Sequence, residues 1–364
     1  MYLRLDALRG VAACSVLLYH SKFTVWDEPT ALMRNAYLAV DLFFVISGFV
    51  MQHAYGARIR QGMPLSDYMV LRLGRIYPLH LFMLLVWVPY IAFKTHLFRQ
   101  GFGGSDPSID SNAWTFLSNV LLIQAWHLHD SLNWNYPSWS ISAEWAVYLL
   151  FFAWSSVRAL SALWWWPLLL SALSYGLLAW IDPGTLGFTF DHGVLRCLAA
   201  FSLGVGMHAI HTRWGGRVRA LACWELGALG ATLACLSLAD QSQWALHLTP
   251  LAFAALVLVQ ADSRRGWVGR VFDLPWLRQL GLWSYAIYML NGMVTAAASN
   301  VLAHVFKVSV DQGLGWLAVW INAGMLLACI VLAKPCYEWI EVRGRDAARN
   351  WLAASRADTR LNQT

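Results

Sequence analysis

Apolar residues run along this chain in blocks long enough to cross a bilayer, and polar residues fall mostly between the blocks. A transmembrane helix needs about 20 largely apolar residues, and Pro, Gly and charge mark the connections. Ten such stretches are predicted, near 7–24, 37–55, 76–95, 138–156, 161–181, 193–211, 220–239, 244–261, 280–302 and 314–334. The connection 96–137 is too long for a simple turn in a compact protein. Within it, 114–126 is apolar but too short to span comfortably, and reads as re-entrant or interfacial. No internal repeat is visible. The expected fold is all-α, a polytopic membrane helix bundle of about ten transmembrane helices.

Composition agrees with this pattern. Of 364 residues, 59% are hydrophobic and 13% charged, outside the usual range of a soluble domain. A formal charge of +6 could indicate nucleic acid, but in a membrane chain it reads as basic cytoplasmic loops, so no nucleic-acid partner is expected. A cytoplasmic N-terminus leaves only Lys22, Arg34, Lys94, Arg99 and Lys307 outside, with Arg196 inside a span; the remaining arginines, among them Arg58, Arg60, Arg217, Arg219, Arg264 and Arg265, fall inside. That asymmetry predicts N- and C-termini in the cytoplasm. An integral-membrane domain over 1–337 is followed by a basic, amphipathic cytoplasmic tail over 338–364, expected to lie on the lipids of the inner leaflet. The six cysteines sit mostly in apolar segments without C-x-x-C spacing, so neither a metal site nor a disulfide framework is expected.

Polar residues within the spans carry the candidate chemistry, because ionisable groups in a membrane helix are costly and by default functional. In LRGVAACSVLLYH, Arg9 and His20 are eleven residues apart and return to nearly the same helix face, about 16 Å apart along the axis. Small residues between them, Gly10, Ala12, Ala13, Cys14 and Ser15, let neighbouring helices close over that stripe. In YLAVDLFFVISGFVMQHAY, Asp41 lies near the outer end, at the expected depth of His20. A carboxylate there would orient the imidazole and raise its basicity, the alternative being a helix-locking contact. In WSISAEWAVY, Ser140, Glu144 and Tyr148 form one stripe, read as substrate-binding or as a structural pair with an arginine such as Arg196. LRLGRIYPLH sets Arg72 and Arg75 on one face where the third span begins. With Arg9 they would form a cationic mouth for a phosphate-bearing ligand. Trp134, Tyr136 and Trp139 beside Asn133 and Asn135 could stack on a sugar, or form an ordinary interfacial aromatic belt. His208 and His211 share a face but have no third ligand in metal spacing.

Taken together, these segments resemble the acyltransferase-3 family of bacterial integral-membrane O-acyltransferases. LDALRGVAACSVLLYH resembles its first-helix Arg/His segment, DLFFVISGFVM its second-helix motif, RLGRIYPLH its third, WSISAEWAVYLLFF its tryptophan-serine-glutamate motif and LGLWSYAIYML its late serine-tyrosine motif. Asn291 stands where relatives often have histidine, and Val342 where a proline is common. The resemblance implies ten core helices in the bacterial inner membrane. It implies transfer of an acyl group, usually acetyl, from cytoplasmic acetyl-CoA, with no tightly bound cofactor. The acceptor would be a hydroxyl of a lipid-linked oligosaccharide or polysaccharide, such as an exopolysaccharide or O-antigen unit. On that reading Arg9, Arg72 and Arg75 bind the donor, His20 with Asp41 is catalytic, and Glu144, Ser140, Trp139 and Trp134 serve the acceptor. The rival from another class is a transporter or flippase for a lipid-linked saccharide, which would more readily show paired halves.

Overall fold

The computed structural model describes residues 2–102, 105–214, 222–262, 266–308 and 313–361, apart from the side chains of 222 and 357–361. Helices occupy all ten apolar stretches: α1 (Leu3–His20), α2 (Ala39–Met51), α3 (Leu65–Arg99), α4 (Trp139–Ser156), α5 (Trp166–Ile181), α6 (Gly193–Trp214), α7 (Ala222–Leu238), α8 (Gln243–Ala261), α9 (Pro275–His304) and α10 (Trp316–Cys336). A further helix, α11 (Val342–Leu361), follows α10 after a π-turn. There is no strand among the described residues.

Among the described residues, six helical runs are long and apolar enough to cross a membrane: Ala31–Arg60, Leu65–Arg99, Gly193–Trp214, Gln243–Ala261, Pro275–His304 and Trp316–Arg356. Trp166–Ile181 and Cys223–Leu238 are apolar but shorter. The other two of the ten, α1 and α4, hold the arginine, histidine and glutamate singled out above.

Two close seams organise the bundle. Along α1 and α9, a Cβ placed on Gly10 would lie 2.7 Å from the Gly281 nitrogen, and one on Gly281 would lie 2.2 Å from the Asp6 carbonyl oxygen. Where α2 meets α6, a Cβ on Gly48 would lie 1.9 Å from the Phe201 carbonyl oxygen, and one on Gly204 would lie 1.9 Å from that of Val45. Only glycine allows backbones this near, and in lipid such close approach is a principal source of helix–helix attraction. The α1–α9 seam carries the Arg9/His20 stripe, and the α2–α6 seam carries Asp41. Elsewhere α6 also touches α4 and α5, α7 lies on α8, and α10 on α9.

Two segments take definite shape. Ala113–Val120 is an eight-residue helix, about 12 Å long, within a folded loop. The Asn112 side chain accepts from the Trp114 and Thr115 amides (3.0 and 3.1 Å), while the Thr115 hydroxyl accepts from the Asn112 amide (2.9 Å), a capping box. The basic tail has a protein partner: α11 packs against α3, and Arg356 pairs with Asp67 at 2.5 Å. Of the arginines that set the expected orientation, Arg217, Arg219, Arg264 and Arg265 lie outside the described residues.

Candidate active site

Three cavities run in line through the bundle between α1, α2, α4 and α9. The first, about 370 Å³, is lined by His20 and Tyr19 of α1, by Tyr37 and Val40, by Tyr136 and Trp139, by Arg196 of α6 and by Tyr288 of α9. Val40 and Tyr288 also line a second cavity of only about 40 Å³, with Phe43, Ser47, Ser140, Glu144, Tyr285 and Arg9. Arg9, Ser47, Glu144 and Tyr285 in turn line a third, about 260 Å³, whose wall includes Arg72, Arg75, Arg345, Asp6, Tyr148 and Tyr337. The shared residues set these cavities side by side, with a histidine in the wall of one, arginines in the wall of the other and the smallest cavity between.

The histidine end is built from aromatic groups. The His20 ring meets Tyr136 edge-on with centroids 4.9 Å apart. The Tyr136 hydroxyl shares a 3.1 Å hydrogen bond with that of Thr295 on α9, whose hydroxyl donates to the Asn291 carbonyl at 2.8 Å. The His20 side chain and the Asn291 amide are neighbours in this wall, with His20 Nδ1 and Asn291 Oδ1 both buried.

Asp41 does not serve His20. Its carboxylate accepts from Arg196 Nε at 3.2 Å on each oxygen and from Nη2 at 2.7 Å. Arg196 also donates to the Phe188 and Tyr37 carbonyls, both at 3.1 Å, and its guanidinium lies 5.4 Å from the Trp139 ring centroid. Both side chains are almost wholly enclosed. The α2–α6 glycine seam brings the guanidinium against Asp41, and a rigid fork of donors outcompetes an imidazole for a buried carboxylate. The expected Asp41–His20 contact is therefore replaced by an Asp41–Arg196 ion pair. Arg196 is the residue that sequence reasoning underused. Its signal was an arginine inside an apolar run, read only as a possible mate for Glu144.

The smallest cavity, the neck between the two chambers, is lined by Tyr288. Ser140 donates to the Tyr288 hydroxyl at 2.8 Å, and that hydroxyl donates to the Pro137 carbonyl at 2.8 Å. Phe43 stands against the same ring at 5.6 Å. Ser140, expected to meet the acceptor, thus holds a gatepost.

Glu144 also departs from its expected side. It lines the neck and the arginine chamber, not the histidine chamber. Its carboxylate accepts from the Ser47 hydroxyl and, at 2.7 Å, from the Tyr148 hydroxyl. Ser47 went unnoticed in the sequence, being a small polar residue in an apolar span. Arg9, Arg72 and Arg75 do converge, as their helix faces predicted. Arg72 donates to the Tyr55 hydroxyl and lies over that ring at 4.4 Å, while Arg75 stands 3.5 Å from Glu341. Trp139 lines the histidine chamber, but Trp134 is turned away: its indole donates to the Thr115 hydroxyl at 3.0 Å and packs on Phe116.

Comparison with known proteins gives the family: the profile of an acyltransferase domain, acyltransferase-3, matches residues 2–334. The chain belongs to the acyltransferase-3 family. This acyltransferase is 29% identical to acyltransferase MdmB of Streptomyces mycarofaciens, over 91% of its own length and 90% of that protein. It is 37% identical to protein 2 of the picA locus of Rhizobium radiobacter, over 24% of this chain and 45% of that one. It is 26% identical to the peptidoglycan O-acetyltransferase OatA of Listeria monocytogenes, over 40% of this chain and 23% of that one. No solved structure matches. The acyltransferase is, by its apolar helices and its family, a multi-pass membrane protein.

Proposed function

We propose that the enzyme moves an acetyl group from cytoplasmic acetyl-CoA to a hydroxyl of a polysaccharide repeat unit, carried on lipid as an exopolysaccharide or O-antigen precursor, in the bacterial inner membrane. On this reading all ten helices cross, the arginine chamber opens to the cytoplasm and the histidine chamber faces outward. The observation that carries the proposal is the row of adjoining cavities between Arg9, Arg72 and Arg75 and His20.

Guanidinium groups match phosphate oxygens bidentately, so the nucleotide end of the donor binds at the arginines while its slender thioester arm threads the neck past Tyr288. On α1 the distance to be covered is about 16 Å. At the far end His20 takes the proton of the acceptor hydroxyl. The oxygen attacks the thioester carbonyl, the C–S bond breaks, and the proton leaves with the coenzyme thiol. The aromatic walls of the histidine chamber, Tyr19, Tyr136 and Trp139, suit the faces of a sugar. The carbohydrate acceptor is in keeping with the relative named as a peptidoglycan O-acetyltransferase.

The test is transfer of radiolabel from acetyl-CoA to membrane glycolipid, comparing wild type with His20→Ala at equal folded protein. Label lost only in the variant supports the proposal; label unchanged moves the chemistry away from His20; no label in wild type removes this donor. Rapid quench separates direct transfer from an acetyl-His20 intermediate, which would be trapped on the protein.

A further inference from the structure

The family match ends at residue 334, but the arginine chamber does not. Its wall continues through Tyr337 to Arg345, the fourth residue of α11. Two buried guanidinium nitrogens of this chamber, Arg72 Nε and Arg345 Nε, have no hydrogen-bond partner. Buried donors left without acceptors are costly; of the nearby carboxylates Glu144 is hydrogen-bonded, whereas both Glu341 oxygens are themselves buried without a hydrogen bond. Glu144 accepts from Ser47 and Tyr148, and Glu341 stands against Arg75. The other arginines of α11 differ: Arg349 is exposed and pairs along its own helix with Asp346, and Arg356 reaches Asp67 of α3.

Arg345 is held there by a fitted contact. A Cβ on Gly344 would lie 2.4 Å from Pro78 Cγ, and one on Gly74 would lie 2.3 Å from Ala348 Cβ. The tail and α3 therefore meet backbone to backbone beside the chamber, and neither glycine can be enlarged without parting them.

We propose that Arg345 is a donor-binding residue, and that α11 is a wall of the donor site which delivers this fourth guanidinium to the phosphates of the acyl carrier. The inference rests on the acetyl-CoA reading above. A phosphate supplies the acceptors that Arg72 Nε and Arg345 Nε lack, and it is the ligand chemistry best matched to several convergent guanidinium groups.

The experiment measures CoA affinity by calorimetry and steady-state kinetics on the full chain in lipid nanodiscs. Arg345→Ala should weaken CoA binding about tenfold to a hundredfold, the loss of one or two charge-assisted hydrogen bonds. The KM for acetyl-CoA should rise with it, while kcat at saturating donor and the acceptor KM stay at wild-type values. Arg345→Lys should recover part of the affinity, and Arg349→Ala should match wild type. Gly344→Leu, which parts α11 from α3 without touching a charge, should reproduce the rise in donor KM. Wild-type affinity in Arg345→Ala overturns the role of Arg345; wild-type donor KM in Gly344→Leu overturns α11 as a wall; loss of affinity in Arg349→Ala equal to that in Arg345→Ala reduces the effect to net charge. Wild type that binds no CoA would instead overturn the reading of the donor, a result distinct from all three.

Discussion

The two ends of the row of cavities hold their arginines differently. At the histidine end Arg196 is enclosed and fully engaged, with Asp41 and two backbone carbonyls as acceptors. At the other end Arg9, Arg72, Arg75 and Arg345 line open space, and two of them keep a buried nitrogen without an acceptor. A cation whose nitrogens are each hydrogen-bonded inside the fold leaves little for a ligand to satisfy. A cluster with unmet donors around a cavity leaves hydrogen bonds for a ligand to complete. The contrast separates residues that the sequence presents alike, as arginines in or near apolar runs.

The sharpest way to break the contrast is to compare loss of chemistry with loss of fold. His20→Ala should lower kcat by about 10²- to 10⁴-fold, the usual contribution of a positioned base, while the thermal midpoint in detergent stays near wild type. A collapse of stability would make His20 part of the frame. Arg196→Met should do the reverse. Removing one member of a buried pair leaves an uncompensated charge and costs about 3–5 kcal/mol, read as a large fall in thermal midpoint. Because replacing both members by apolar groups is often neutral, Asp41→Leu with Arg196→Met should regain most of the loss. Failure of the double variant to recover would mean that Arg196 does more than neutralise Asp41.

A smaller effect sharpens the border between the chambers. Glu144 is bonded to Ser47 and Tyr148 on the arginine side of the neck. Glu144→Gln leaves those hydroxyls a weaker acceptor, worth about 1–3 kcal/mol. The change should appear in donor kinetics, with the acceptor KM unmoved. A selective rise in acceptor KM would restore Glu144 to the sugar.

How much of this was legible in the sequence follows from what each feature depends on. Helix positions depend on local hydropathy, and helices occupy all ten apolar stretches. Arg9, Arg72 and Arg75 share a chamber because helical periodicity fixes which residues share a face. Surroundings were less readable: the stripe of Ser140, Glu144 and Tyr148 does not say which cavity Glu144 meets, which its hydrogen bonds to Ser47 and Tyr148 decide. Partnership was least readable. Asp41 and Arg196 are 155 positions apart, and their pairing follows from the crossing of α2 and α6 at Gly48 and Gly204, which no one-dimensional pattern reveals. The tail's contact with α3 was hidden for a related reason: a basic amphipathic helix fits a lipid surface and a protein groove alike, and its pattern does not show the close approach of Gly344 to Pro78.

The smallest effect lies outside the cavities and tests the same distinction by pH. Arg34 donates to Asp240 from Nε at 2.8 Å and from Nη2 at 2.5 Å, and Asn35 adds a 3.2 Å bond. The Arg34 hydrogen bonds, ahead of that from Asn35, hold the Asp240 carboxyl below its ordinary value. A carboxyl whose folded pKa is depressed contributes stability above its unfolded pKa, about 3.9, and loses it as pH falls through the folded value. The pair is partly exposed, so its worth is under about 1 kcal/mol. Arg34→Gln should therefore lower the thermal midpoint slightly at pH 7 and pH 5 alike, and the difference from wild type should shrink below about pH 4. It should also shrink in high salt at pH 7, whereas the enclosed Asp41–Arg196 pair should be far less sensitive to salt. A difference that persisted at pH 2.5 would mean that Arg34 acts through its 2.5 Å bond to the Pro29 carbonyl, which no carboxyl titration can remove.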